Sequence, residues 1–178
     1  MSSIYYIDGY NVLHHSTELK ALVRQDLETA RDGLIEKVSI FCMATGNVVH
    51  LVFDGRGMHQ VERVPNSAGV KGFDVLYTPT GTTADSFIER SVYKASNRLS
   101  LVVVSNDRSL RDLCRNMGAL TMDSDNFLGT VREARVDTSA IVAGTQRNTG
   151  MSQLEERLGS DTLQRLEQLK KTLKEKKG

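Results

Sequence analysis

The sequence predicts an α/β domain with a mostly parallel sheet, and three observations carry that prediction. Strand-like runs at Ile4–Ile7, Val48–Phe53, Phe73–Tyr77, Leu101–Val104 and Ala119–Met122 are interleaved with stretches of helical period, in the order strand, helix, strand, strand, helix, strand, helix, strand. Three of these runs end abruptly in polar residues, at Asp8, at Asp54 and at Ser105-Asn106-Asp107, and parallel sheets place their ligand crevice outside the carboxyl ends of the strands. Composition is that of a folded domain: 178 residues, 39% hydrophobic and 25% charged, supply one core and an appendage and match neither disorder nor a membrane protein.

Charge and cysteine usage narrow the class further. No apolar run is long enough to span a bilayer, and Met1-Ser2-Ser3 leads into a strand instead of a signal peptide, so a cytoplasmic protein without membrane contact is expected. Cys42 and Cys114 lie far apart with no C-x-x-C spacing, which predicts buried reduced thiols. Formal net charge is +1, with seven Lys or Arg against five Asp or Glu in residues 151–178, so any nucleic-acid contact must rest on a local patch.

Taken in order, Ile4–Ile7 reads as a buried strand that delivers Asp8 and, three residues later, Asn11 to an exposed edge, with Gly9 between them free to take backbone angles closed to other residues. Turn chemistry, with both side chains bonded to nearby amides, is the competing reading. Leu19, Leu22, Val23, Leu27, Ala30, Leu34, Ile35, Val38 and Phe41 recur at helical spacing, which predicts one long crossover helix stopped by Gly46-Asn47. His14 and His15, adjacent and therefore unable to share a helix face, read as a solvated pair and not as metal ligands.

Val48–Phe53 is a second apolar strand, ending in Asp54-Gly55, where a D-G turn competes with a ligand role. The stretch from Gly55 to Gly72 has no sustained period and carries Arg56, His59, Arg63 and Lys71, so a functional loop is expected, with a hairpin as the alternative. Phe73–Tyr77 is a third strand, Thr78-Pro79-Thr80-Gly81 a turn, and Thr82-Thr83 cap a helix from Ala84 to about Asn97 that buries Phe87, Ile88, Val92 and Ala95. Asp85 and Glu89, four apart, share a face of that helix away from its apolar side; favouring the helix dipole competes with a ligand role for Asp85.

Leu101–Val104 is the most clearly buried strand, and Asp107 is placed to cap a helix from Arg108 to Met117 that Gly118 stops. Ala119–Met122 is a short last strand, and Asp123-Ser124-Asp125 open a final helical segment around Asn126 to Val136. Residues 137–150, rich in Ser, Thr, Gly and Asn, read as a flexible linker. Residues 151–178 read as a charged amphipathic helical tail with leucines at three- to five-residue steps, which docks on the domain or pairs with another copy of the chain; its terminal lysines read as a solvated face.

On this topology Asp8, Asp54, Asp85 and Asp107 fall along one rim, where mutual repulsion raises carboxyl pKa values or demands a cation. Hard oxygen donors suit Mg²⁺ or Mn²⁺, and such ions activate water and stabilise the leaving oxygen of a phosphodiester. The chain has no G-x-x-x-x-G-K-[ST] loop, no G-x-G-x-x-G after a strand and no G-x-S-x-G elbow, which weighs against P-loop, dinucleotide and serine-hydrolase chemistry.

Ile7-Asp8-Gly9-Tyr10-Asn11-Val12, Val52-Phe53-Asp54-Gly55, Thr83-Ala84-Asp85-Ser86-Phe87-Ile88-Glu89 and Val104-Ser105-Asn106-Asp107 resemble, in this order, the motifs of the YacP-like branch of the NYN family, within the PIN-like nuclease superfamily. The resemblance covers roughly residues 3–135. It implies a PIN-like three-layer α/β/α sandwich in residues 1–136 and a metal-dependent endoribonuclease, a hydrolase of RNA phosphodiester bonds, using Mg²⁺ or Mn²⁺. By position it implies Asp8, Asp85 and Asp107 as metal ligands and Asn11 as the polar partner that orients water or metal. Asp54, Glu89 and Ser105 are secondary, with Glu89 supporting Asp85 from behind. The family commonly reads Ser-Asp where this chain has Ser105-Asn106-Asp107, a departure that changes a neighbour and keeps the acid.

Arg56, Arg63, Lys71 and Arg108 are the candidates to guide an RNA backbone, and the low aromatic content points to single-stranded or exposed RNA without elaborate base stacking. Links of the family to translation and RNA turnover imply a ribosomal partner. A PIN-like module that binds RNA or a ribonucleoprotein without turnover is the alternative of a different class.

Overall fold

The computed structural model describes residues 2–55, 60–64 and 69–135; Arg56, the linker and the helical tail lie outside the described residues. Strands β1 (Ile4–Asp8), β2 (Val48–Phe53), β3 (Glu62–Val64), β4 (Phe73–Tyr77), β5 (Leu101–Val104) and β6 (Leu120–Met122) form one sheet in the order β3-β4-β2-β1-β5-β6. All neighbours pair in parallel except β3, which runs antiparallel to β4 at the edge. The stretch between β2 and β4 therefore holds the hairpin-like excursion that sequence left as the alternative to a loop.

Helices cover both faces, which is why β5 is buried at every position and reads as a continuous apolar run. On one face α1 (Gly9–His15), α2 (Lys20–Gln25), α3 (Leu27–Thr45) and α6 (residues 124–135) close over Ile7, Val49, Leu51, Phe53, Val75, Val102 and Val104. On the other, α4 (Ala84–Lys94) and α5 (Arg108–Asn116) bring Ile88, Val92, Leu110 and Cys114 onto Val52, Leu76, Leu101 and Val103. Both cysteines are buried and free, and His14 and His15 are exposed on the last turn of α1. The result is the expected PIN-like α/β/α sandwich.

The predicted crossover helix over Leu19–Phe41 is in fact two, α2 and α3, and a separate short helix, α1, precedes them. Ser16 Oγ accepts from the backbone amides of Glu18 and Leu19 at 3.1 and 3.3 Å, ending α1 and turning the chain toward α2. Asp26 is extended, at φ −156 and ψ 114, and its carboxylate takes the amides of Glu28 and Thr29 at 3.0 and 3.2 Å as the cap of α3. Apolar spacing runs on across the break at Asp26 although α2 holds no buried residue and Leu22 and Leu27, on either side of the break, are exposed. The expected stops and starts elsewhere are present: Gly46 takes a left-handed φ of 65 after α3, Thr83 caps α4 through the Ser86 amide at 3.2 Å, and Asp123 takes the Asn126 amide at 2.9 Å in α6.

Candidate active site

The carboxyl ends of β1, β2 and β5 and the start of α4 converge on one rim. Asp8 closes β1, is 8% exposed, and caps α1 by accepting the Asn11 amide at 3.1 Å. Turn chemistry is thus real at Asp8, yet it occupies one oxygen of a carboxyl that also meets Asp85. Burial, followed by the neighbouring charges of Asp85 and Asp54, pushes the Asp8 carboxyl up to about 7, against one favourable bond from the Asn11 amide. Asp85 is also held above the usual carboxylate range, by burial first and then by the charges of Asp107 and Asp54, while a hydrogen bond shared with Asp8 works in the opposite direction. With both groups ionised, Asp85 Oδ1 is buried without a hydrogen-bond partner. One proton on Asp8 relieves the pair, and so would a cation.

The other two acids are engaged differently. Asp54 Oδ1 accepts the Ala84 amide at 2.6 Å, thirty residues along the chain, so its carboxylate serves the start of α4. That bond sets the position of Asp85, one residue further on. Gly55 packs beside it, its amide donating to Thr78 Oγ1 at 3.3 Å. Asp107 caps α5 as expected, taking the Ser109 and Leu110 amides at 2.7 and 3.4 Å, and Ser105 Oγ, fully buried, accepts the Asp107 amide at 3.1 Å.

Asn11 is committed to a structural bond: its Oδ1 accepts the Asn106 amide at 2.6 Å. Asn106 in turn accepts the Ser124 amide at 2.8 Å. The inserted residue that departs from the family pattern therefore ties the β5–α5 loop to both α1 and α6. Sequence reading passed over it; three consecutive polar residues after a fully buried strand were the available signal.

The remaining candidates spread out. Glu89 is exposed one turn beyond Asp85, and Arg108 is exposed on the first turn of α5 beside Asp107. Arg63 lies on the edge strand opposite Leu76, about 14 Å from β1 at ordinary strand spacing, with its Nε 3.4 Å from Asp74 Oδ1. Lys71 precedes β4, at the opposite end of the strands from Asp8 and about 16 Å from its level in the sheet. The structure thus brings Asp8, Asp54, Asp85, Asp107 and Arg108 to one rim and leaves Arg63 and Lys71 away from it.

Among the described residues no group of three or more His, Cys, Asp or Glu is arranged to hold a metal ion as it stands. Three of the four acids, Asp8, Asp54 and Asp107, have turned an oxygen to helix amides. The Asp8–Asp85 pair, with its raised affinity for a proton and its unpartnered oxygen, is nonetheless hard-donor chemistry that a divalent cation would satisfy.

The profile of the YacP-like NYN domain matches residues 5–171. The chain belongs to the YacP-like NYN domain family. The family is a branch of the PIN-like nucleases, hydrolases that act on RNA. A relative from Bacillus subtilis strain 168, "Uncharacterized protein YacP", is 28% identical over 156 residues, covering 86% of this chain and 90% of the relative. Two crystal structures of Rae1 (YacP) from Bacillus subtilis are similar in fold. One, of a mutant form, superposes with a TM-score of 0.66 at 26% identity, covering 86% of this chain and 89% of that one, and the other with 0.62 at 25%, covering 96% and 95%.

A pH dependence follows from the carboxyl pair. The unfolded chain gives up the Asp8 proton near 3.8, whereas the folded chain keeps it to about 7. The stabilisation from that proton is present in full below the unfolded value and is lost as pH rises through about 7. Thermal unfolding in EDTA is expected to show wild-type stability falling relative to Asp8→Asn between pH 5 and pH 8. Parallel curves for the two proteins would show that the carboxyl titrates normally.

Proposed function

We propose that the protein is a metal-dependent endoribonuclease that cuts single-stranded or exposed RNA. The observation that carries this reading is the Asp8–Asp85 pair: a buried and a half-buried carboxyl set against each other, with Asp54 close enough to raise both pKa values and Asp107 that of Asp85, at the carboxyl edge of a parallel sheet. Asp8, Asp85 and Asp107 would hold Mg²⁺ or Mn²⁺. A bound ion there supplies a water of lowered pKa and neutralises charge on the phosphodiester oxygens. Asp54 orients Asp85 through the Ala84 amide, and Asn11 and Asn106 hold the two strand ends in register. Arg108 lies beside Asp107 to meet a backbone phosphate without reading sequence.

A cytoplasmic setting, a ribosomal partner and self-association through the C-terminal tail belong to the same proposal. No helix among the described residues is long and apolar enough to cross a membrane.

The test is cleavage of an end-labelled unstructured RNA by the full chain with Mn²⁺, Mg²⁺ or EDTA, beside a matched DNA strand. Internal cuts in RNA that need metal, and that disappear in Asp8→Asn, are expected. Cutting by Asp8→Asn at the wild-type rate would overturn the assignment, and RNA binding without cutting under any metal would favour a binding module.

A further inference from the structure

We propose that Tyr10 and Tyr77, braced by Phe53 and Arg31, form a base-stacking subsite for the RNA strand, about one or two nucleotides from the phosphodiester at Asp8 and Asp85. The inference rests on the RNA reading above and adds a contact that the acidic motifs do not contain.

Side chains alternate between the two faces of a strand, so a strand end can send an acid one way and a ring the other. At the end of β1 Asp8 turns toward α4, while Tyr10, already in α1, packs with the α3 side. On β2 the same alternation puts Phe53 on the α3 side directly before Asp54, whose carboxylate reaches α4. A row of rings therefore runs along the rim beside the row of carboxylates. Tyr10 meets Phe53 edge-on with centroids 5.0 Å apart, and Tyr77 stacks on Phe53 at 5.6 Å and 23°.

The middle ring is fully buried, whereas the two tyrosines are only partly buried. Gly9 makes the arrangement feasible, since a Cβ there would lie 2.2 Å from the Phe53 ring. The Arg31 guanidinium, itself held by Glu28 at 3.1 Å, donates to the Tyr10 hydroxyl and sets its positive charge near Tyr77. Both rings are thus held against Phe53, and Tyr10 also at its hydroxyl by Arg31, and rings held this way lose little freedom when a base stacks on them.

Tyr77 on β4 is two strands from Asp8 on β1, about 10 Å at ordinary strand spacing. An extended single strand with a phosphate at the acids would reach it with the next base or the one after. Stacking is tolerant of base identity, which suits an enzyme that grips exposed RNA without a hydrogen-bond code.

Binding without turnover tests the subsite separately from the nuclease reading. The full chain is titrated in EDTA against a fluorescein-labelled octaadenylate RNA, and against the same octamer with one abasic nucleotide moved along it. Wild type is expected to lose about tenfold in affinity at one or two abasic positions, and Tyr77→Leu and Tyr10→Leu to lose about tenfold on the intact octamer. Tyr77→Phe is expected to bind as wild type does, because the ring is kept. A flat abasic profile, folded leucine variants that bind as tightly as wild type, or a wild type that does not bind the octamer would each overturn the proposal. The abasic series needs no variant to fold. Metal-dependent cutting together with ring-independent binding would remove the subsite alone, and ring-dependent binding without cutting would remove the nuclease alone.

Discussion

Asp85→Asn is expected to abolish RNA cleavage while making the protein harder to unfold. Its carboxyl sits against Asp8, with the charges of Asp54 and Asp107 also raising its pKa, and one of its oxygens is buried without a partner. Replacing it with a neutral amide of the same shape removes that repulsion, and the amide can donate to Asp8. Relief of this kind at a functional site is worth about 0.5–2 kcal/mol. On the proposed metal-dependent reading activity moves the other way, because a ligand for the cation would be lost; a deficit of about a thousandfold or more in kcat/KM corresponds to roughly 4 kcal/mol of transition-state stabilisation. Differential scanning calorimetry in EDTA, paired with the RNA cleavage assay, reads both quantities. A variant that is both less stable and still active would mean that the acids act as ordinary helix caps.

The largest structural effect is expected from Gly55→Ala. A Cβ at this position would lie 2.0 Å from the Thr78 carbonyl oxygen, a backbone atom with no rotamer to yield. Thr78 is itself pinned: it is fully buried, and its amide donates to the Phe53 carbonyl at 2.9 Å. The clash therefore pushes β2 and β4 apart at the rim, moving Asp54 away from the Ala84 amide. Overpacking against backbone costs about 3 kcal/mol or more. Chemical denaturation should show the unfolding free energy lowered by that amount, or no folded protein at all. Gly33→Ala makes the control, since nothing lies within 4 Å of a Cβ there.

These two glycine positions show how sequence reading was partly right for a different reason. Gly9 and Gly55 each follow an aspartate at a strand end, and the D-G pair suggests special backbone angles. Neither residue has a positive φ; Gly46, Gly69, Gly72, Gly81 and Gly118 do. Gly9 and Gly55 are instead required for space, against the Phe53 ring and the Thr78 carbonyl. Space is a property of what another strand brings, so nothing within a few residues of either glycine announces it. Asp54 follows the same logic: its partner amide is at Ala84, and only the packing of α4 on the sheet supplies it.

The sequence by itself determined the alternation of strands and helices, the acids that end the strands, and the caps at Thr83, Asp107 and Asp123. Each of these is settled by side-chain period or by hydrogen bonds reaching two or three residues along the chain. It did not reveal the break at Asp26, where a good cap interrupts an unbroken apolar spacing, nor the short helix that Ser16 ends ahead of it. Only the tertiary structure decided which acids couple. Strand order puts β1 between β2 and β5, and α4 then lays Asp85 against Asp8 while Lys71 is carried to the far end of the sheet. Desolvation and Coulomb repulsion act through space between groups 77 residues apart, so the raised carboxyl pair exists only once the chain has folded.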